Sequence, residues 1–209
     1  MEYKKVDAVI LAGGSLGRKK LFPKALLEIG GETLIKKQIK WLKPYVNKII
    51  VACTELEAKQ IRKYHPEIKV YFATTPNLPG SAGALKKAIN YVTTDDFIVV
   101  NVDDLTDIDL KSLINFGSDT ICVANPRLQY GMIEIVQGEV KNFREKPLLK
   151  NVWVNCGVYF LNKAIADKLP RKGSLAREVL PYINLKAYKH YGTWHPVLKH
   201  GSRTSACRS

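Results

Sequence analysis

The chain reads as an α/β protein of Rossmann-like type, a mixed, mostly parallel sheet flanked by helices, and three observations predict it. Short β-rich apolar runs alternate with segments of helical period through the first half. A glycine pair follows the first of those runs directly. The density of strand signals then rises after Asp104 with no linker rich in Gly, Ser or Pro, so both parts are expected to share one sheet.

The elements follow in order. Val6 to Ala12 (VDAVILA) is a buried strand stopped by Gly13 and Gly14. Lys48 to Cys53, Ile68 to Ala73 and Phe97 to Val102 are further strands, each short and rich in Val, Ile or aromatics. Between them Thr33 to Leu42, Glu55 to Tyr64 and Ala82 to Val92 read as helices; in the last, Leu85, Ala88, Ile89 and Val92 recur at helical spacing. A parallel sheet built this way takes ligands at the carboxyl ends of its strands. Beyond Asp104, strands are expected at Thr120 to Ala124, Tyr130 to Val136, Val140 to Phe143 and Val152 to Leu161, with Gln137-Gly138 as a hairpin turn. Lys163 to Leu169 and Ser174 to Tyr182 are expected helices. One domain over residues 1–200 is the simplest organisation; residues 201–209 (GSRTSACRS) lose all periodicity and read as a disordered or expression-derived tail.

Composition bounds the function. With 209 residues, 46% hydrophobic and 25% charged, the chain can bury a sizeable core. No run approaches the roughly 18 to 20 apolar residues that span a bilayer, and the N-terminus lacks the apolar core of a signal peptide, so a cytoplasmic protein without a membrane partner is expected. Cys53, Cys122, Cys156 and Cys207 show no CxxC or zinc spacing and read as reduced, small hydrophobes. The net charge of +14 raises nucleic-acid binding as a class. Its lysine pairs, such as Lys36-Lys37 and Lys86-Lys87, are spread over separate segments without aromatic interleaving, which argues for a solvated basic surface and no nucleic-acid partner. A substrate with several phosphates would still be attracted by that field. A homo-oligomer is compatible with the sequence.

Gly13 and Gly14 after a buried strand let the main chain approach a ligand and leave N–H groups for phosphate oxygens, while Arg18 and Lys24 supply cations. Cations aimed at a departing pyrophosphate stabilise the transition state of attack on an NTP α-phosphate more than the ground state. The loop matches neither the GxxxxGK[ST] nor the GxGxxG phosphate motif. Asn101-Val102-Asp103-Asp104 ends a buried strand with two carboxylates, a costly placement without a positive partner. Magnesium, which takes one or two carboxylates plus phosphates and water, suits that position.

Leu11 to Lys24 (LAGGSLGRKKLFPK) resembles the signature of the sugar-1-phosphate nucleotidyltransferases, LAGGxGTR followed by Pro-Lys. Pro79 to Leu85 (PGSAGAL) is similar to that family's LGTAGAL segment, Phe143 to Pro147 (FREKP) to its FxEKP, and Val154 to Tyr159 (VNCGVY) to its NxGxY; Ser174 to Ile183 is similar to its terminal helix. The resemblance implies the nucleotide-diphospho-sugar transferase fold, here as a minimal catalytic core. It implies Mg²⁺-dependent condensation of an NTP with a sugar 1-phosphate, by in-line displacement, to an NDP-sugar and pyrophosphate. By carry-over Leu11, Ala12, Gly13, Gly14, Gly80 and Ser81 bind the nucleotide, Arg18 and Lys24 are catalytic, and Asp103 holds the metal. Gly131, Glu145, Lys146 and Asn155 bind the sugar phosphate. The chain departs from the pattern at Leu16, Gly17 and Val102, and at Pro196, where the family carries a second metal aspartate two residues after a tryptophan. That leaves Asp103 alone with phosphates and water, assisted by His195 or Asp104, or a weakened site. The rival readings are another phosphorylated acceptor (a polyol phosphate, choline phosphate or molybdopterin) and a nucleotide-sugar-binding regulatory subunit.

Overall fold

The computed structural model describes residues 4–13, 15–16 and 22–197. Strand β1 (Val6–Leu11) is followed by helix α1 (Leu34–Leu42), β2 (Val46–Thr54), α2 (Glu55–Tyr64), β3 (Tyr71–Thr75), α3 (Gly80–Ile89) and β4 (Asp96–Asn101). Then come β5 (Asp104–Thr106), α4 (Leu110–Phe116), β6 (Thr120–Ala124), the pair β7 (Met132–Val136) and β8 (Glu139–Arg144), and β9 (Val154–Asn162). The chain continues through α5 (Leu175–Glu178), β10 (Lys186–His190) and β11 (Trp194–Pro196).

Seven strands form one sheet in the order β10-β6-β9-β4-β1-β2-β3. All neighbours are parallel except β9, which runs antiparallel to both β4 and β6. Every residue of β1 is buried, as expected of a strand covered on both faces. Its alternate residues feed two cores. Ala8 and Ile10 pack with Leu34, Ile35, Ala58, Ile61, Leu110 and Leu113 of α1, α2 and α4. Val9 and Leu11 pack with Ala82, Leu85, Ala88 and Leu175 of α3 and α5. Each fully buried Leu or Ile side chain contributes about 1.5–3 kcal/mol, so these two layers fix the sheet on which the loops stand. Among the described residues no helix is long and apolar enough to cross a membrane.

Orientation positions the site. The carboxyl ends of β1, β2, β3 and β4 share one edge because these strands are parallel. Being antiparallel, β9 begins at that same edge, so Val154 and Asn155 stand beside the end of β4. The excursion between β6 and β9 therefore leaves and returns at the carboxyl edge. Within it β7 and β8 pair only with each other, which corrects the expectation that all strands join one sheet. Their Gln137-Gly138 turn has φ of 51° and 83°, the two positive values of a type I′ hairpin turn.

Other differences have local causes. The strand expected from Ile68 begins at Tyr71, and the expected Lys163 to Leu169 helix is a 3₁₀ segment, Lys163–Lys168. The segment Ser174 to Tyr182 splits into α5 and a 3₁₀ turn, Leu180–Tyr182, where Pro181 removes a backbone donor. Cys53, Cys122 and Cys156 are buried and free, and burial, chiefly, pushes the Cys53 thiol up to about 12.

Candidate active site

Lys24 opens a 3₁₀ turn, Lys24–Leu26, whose next two residues, Ala25 and Leu26, are buried anchors in the core under α1 and α2. The side chain of Lys24 is left at the surface of that anchor and forms an ion pair with Asp103, which follows β4. Both are partly sheltered, with side chains 12% and 23% exposed, so a ligand can reach the pair. Leu11 and Ala12 lie beside it with their backbone committed: Val102 N–H donates to the Leu11 carbonyl at 3.1 Å, and Ala12 N–H to the Ala52 carbonyl at 2.9 Å. Gly13 is exposed just beyond, next to Leu78 of the loop before α3. Ser15–Leu16 pairs antiparallel with Phe22–Pro23, which leads directly into Lys24. Gly14 and Arg18 lie outside the described residues.

Asp104 behaves differently from Asp103. It is 8% exposed, and its carboxylate accepts from the Asn101 amide at 2.9 Å and from the Trp194 indole N–H at 3.0 Å. Burial, chiefly, raises its carboxyl to about 6; the neighbouring Asp103 charge adds to the rise, and the two hydrogen bonds oppose it. Because both oxygens are engaged by side chains, Asp104 does not stand free beside Asp103 as a second metal ligand. Trp194 arrives on β11, which pairs with β5 so that Pro196 lies opposite Asp104, and Val197 N–H donates to the Asp103 carbonyl at 2.8 Å. The C-terminal segment thus brings Pro196 beside the Asp103-Asp104 dipeptide. His195 faces a separate cavity of about 400 Å³ with Lys37, Trp41 and Leu105. Among the described residues no three His, Cys, Asp or Glu side chains cluster as a metal site.

Gly80 and Ser81 begin α3 at the same edge, but this end of the helix is met by the later chain. Ser81 Oγ accepts from Leu175 N–H at 2.8 Å, and the Gly173 carbonyl accepts from Ala82 N–H at 3.0 Å. These contacts dock the segment before α5 on the start of α3.

The sugar-phosphate candidates cluster in two groups. Gly131 lies against Phe143 and Glu145, and a Cβ there would stand 3.1 Å from a Glu145 carboxylate oxygen. Lys146 follows with φ of 44°, a left-handed conformation that costs an L-residue roughly 1–2 kcal/mol. The Arg127 guanidinium holds it by donating to its carbonyl at 3.1 Å. The same conformation occurs at Asp119, Gln137 and Asn142, so it fixes the local turn at Lys146 without by itself assigning a role. Asn155 opens β9, donating to the Tyr159 hydroxyl at 2.7 Å and accepting from Gly157 N–H at 2.9 Å.

Gly157 joins the two halves. It sits at an irregularity in the pairing of β9 with β6, at φ of 74°, and a Cβ there would collide with an Asp104 carboxylate oxygen. Gly157→Ala is therefore expected to destabilise the fold by at least about 2 kcal/mol, from left-handed strain plus displacement of Asp104. Urea unfolding reads it; a loss under about 0.5 kcal/mol would refute this packing. Sequence reading identified Gly157 only as a motif letter. Gln38 carried no signal at all and Trp194 served only to place Pro196, because their partners lie 66 and 90 residues away and leave no local spacing to read.

Taken together, a lysine-aspartate pair and a glycine after β1 on the carboxyl edge of a mostly parallel sheet, with an exposed excursion that leaves and returns at that edge, are the features of an α/β enzyme with its site at that edge. The nucleotidyl transferase family model matches residues 7–191, and the chain belongs to that family. Glucose-1-phosphate cytidylyltransferase of Salmonella typhi is 25% identical over 234 residues, covering 92% of this chain and 91% of that protein. D-glycero-alpha-D-manno-heptose 1-phosphate guanylyltransferase of Campylobacter jejuni is 26% identical over 198 residues, 88% of each. The crystal structure of HddC from Yersinia pseudotuberculosis complexed with GMP-PN superposes with a TM-score of 0.71 at 26% identity, over 91% of this chain and 93% of that one.

Proposed function

We propose that this nucleotidyltransferase condenses an NTP with a sugar 1-phosphate, giving an NDP-sugar and pyrophosphate. The observation that carries the reading is the Lys24–Asp103 pair at the carboxyl edge, beside the start of β9 where Asn155 stands. The names of the cytidylyl- and guanylyltransferase relatives supply the acceptor class.

A sugar phosphate oxygen attacks the α-phosphorus, the bond to the β-phosphate oxygen breaks, and pyrophosphate leaves with the electron pair. A phosphate monoester is already anionic, so no general base is needed; alignment and charge neutralisation carry the step. Lys24 would exchange its contact with Asp103 for the triphosphate, Arg18 would add a second cation, and Leu11 to Gly14 would lie along the nucleotide. Glu145 would hold sugar hydroxyls against Gly131, with Lys146 on the attacking phosphate and Asn155 on the sugar. The chemistry of Asp103 fits Mg²⁺: one accessible carboxylate, with triphosphate oxygens and water completing the shell. Such an ion would neutralise charge growing on the leaving pyrophosphate.

A panel of the four common NTPs against glucose, mannose and heptose 1-phosphates, with choline and polyol phosphates as alternatives, tests the reading through pyrophosphate release. Turnover confined to a non-sugar acceptor would move the assignment to another transferase. Lys146→Gly gives an independent check. The substitution removes the cation while relieving the left-handed strain, so stability should stay within about 1 kcal/mol of wild type. The KM for the sugar phosphate should rise at least tenfold with the KM for NTP little changed. An unchanged acceptor KM would remove Lys146 from the site.

A further inference from the structure

Asp103 and Asp104 are adjacent, yet their carboxylates point to different partners. Asp103 meets Lys24, whereas Asp104 turns into the protein, one oxygen on the Asn101 amide and the other on the Trp194 indole. Its main chain is tied as well. The amide of Gln38, on α1 and 2% exposed, donates to the Asp104 carbonyl at 2.8 Å and reaches the Asn101 carbonyl at 3.3 Å. On the remaining side Gly157 of β9 leaves room for the carboxylate and nothing larger. Four parts of the chain thus converge on one residue: the end of β4, β9 and β11 on its side chain, and α1 on its main chain.

We propose that Asp104 is a positioning residue: clamped between Asn101 and Trp194 against Gly157, it fixes the direction of Asp103 and the spacing between Asp103 and the Asn155 end of β9. Pinning Asp104 inward pins the peptide that carries Asp103. It also seats the strand that carries the acceptor half of the site. An in-line displacement loses about 10²-fold for a misplacement near 1 Å, so a clamp joining the two halves acts on the chemical step. This role rests on nucleotidyl transfer by the site as proposed above.

The test uses Trp194→Phe, Asp104→Asn and the double variant, with kcat, both KM values and thermal unfolding measured for each. Trp194→Phe removes one donor and keeps a ring. It should lower kcat about tenfold, with both KM values within threefold of wild type. Asp104→Asn offers one acceptor where two donors converge, so its NH₂ must face another N–H, and kcat should fall at least as far. In the Asp104→Asn background, removing the indole N–H relieves that donor-donor contact. Trp194→Phe should therefore cost nothing further there, or restore part of kcat. A loss confined to thermal stability, an effect on one KM alone, or losses that multiply in the double variant would overturn the positioning role. Wild-type turnover is the separate control: if it is absent the functional reading falls and this role with it, while normal turnover unaffected by Trp194→Phe removes this role alone.

Discussion

Lys24→Ala should lower kcat/KM by about 10²- to 10³-fold, the cost of removing one preorganised cation from developing charge. The fold should survive. Lys24 sits at the surface of a turn anchored by Ala25 and Leu26, so truncating it leaves the core contacts of that turn intact. The sheltered position of Lys24 is what makes the effect large, since a cation held away from bulk water acts on developing charge more strongly than a fully solvated one. Steady-state kinetics with saturating acceptor, beside thermal unfolding of the variant, checks both halves. Near-wild-type turnover would remove Lys24 from the chemistry.

The second large effect is expected at Asp103. Asp103→Asn retains the side-chain volume and the main-chain bond from Val197, but loses the charge that faces Lys24 and that would hold Mg²⁺. Turnover should fall at least about 10²-fold, with higher Mg²⁺ unable to restore it fully. Asp104 is not expected to substitute, because both its oxygens are engaged by Asn101 and Trp194. If Asp103→Asn turned over normally at elevated Mg²⁺, the reactive carboxylate would have to be sought elsewhere.

The parallel half of the fold was legible because β1, β2 and β4 are buried on both faces, so their sequences are nearly continuous Val, Ile and Ala. The strands that went unread lack that signal. Strand β10 (KAYKH) lies at the sheet edge with no fully buried residue, and β5 and β11 are three residues each. Helix α4 did carry cues, Asp109 capping its start and Gly117 closing it, hidden in an acid-rich stretch. Residues proposed to act through their own chemistry, such as Lys24, Asp103 and Lys146, stood out by type and order. Residues that act through long-range contact did not. Gln38 reads as one polar residue on an amphipathic helix until the fold sets it against the Asp104 carbonyl.

The most direct measurement follows the α-phosphate itself. With an NTP labelled at that phosphorus and a matching sugar 1-phosphate, label should appear in an NDP-sugar with one unlabelled pyrophosphate released per turnover, and Lys24→Ala should abolish nearly all of it. Binding of NDP-sugar without label transfer for any NTP and sugar phosphate pair would contradict the account and leave a nucleotide-sugar-binding protein in place of an enzyme.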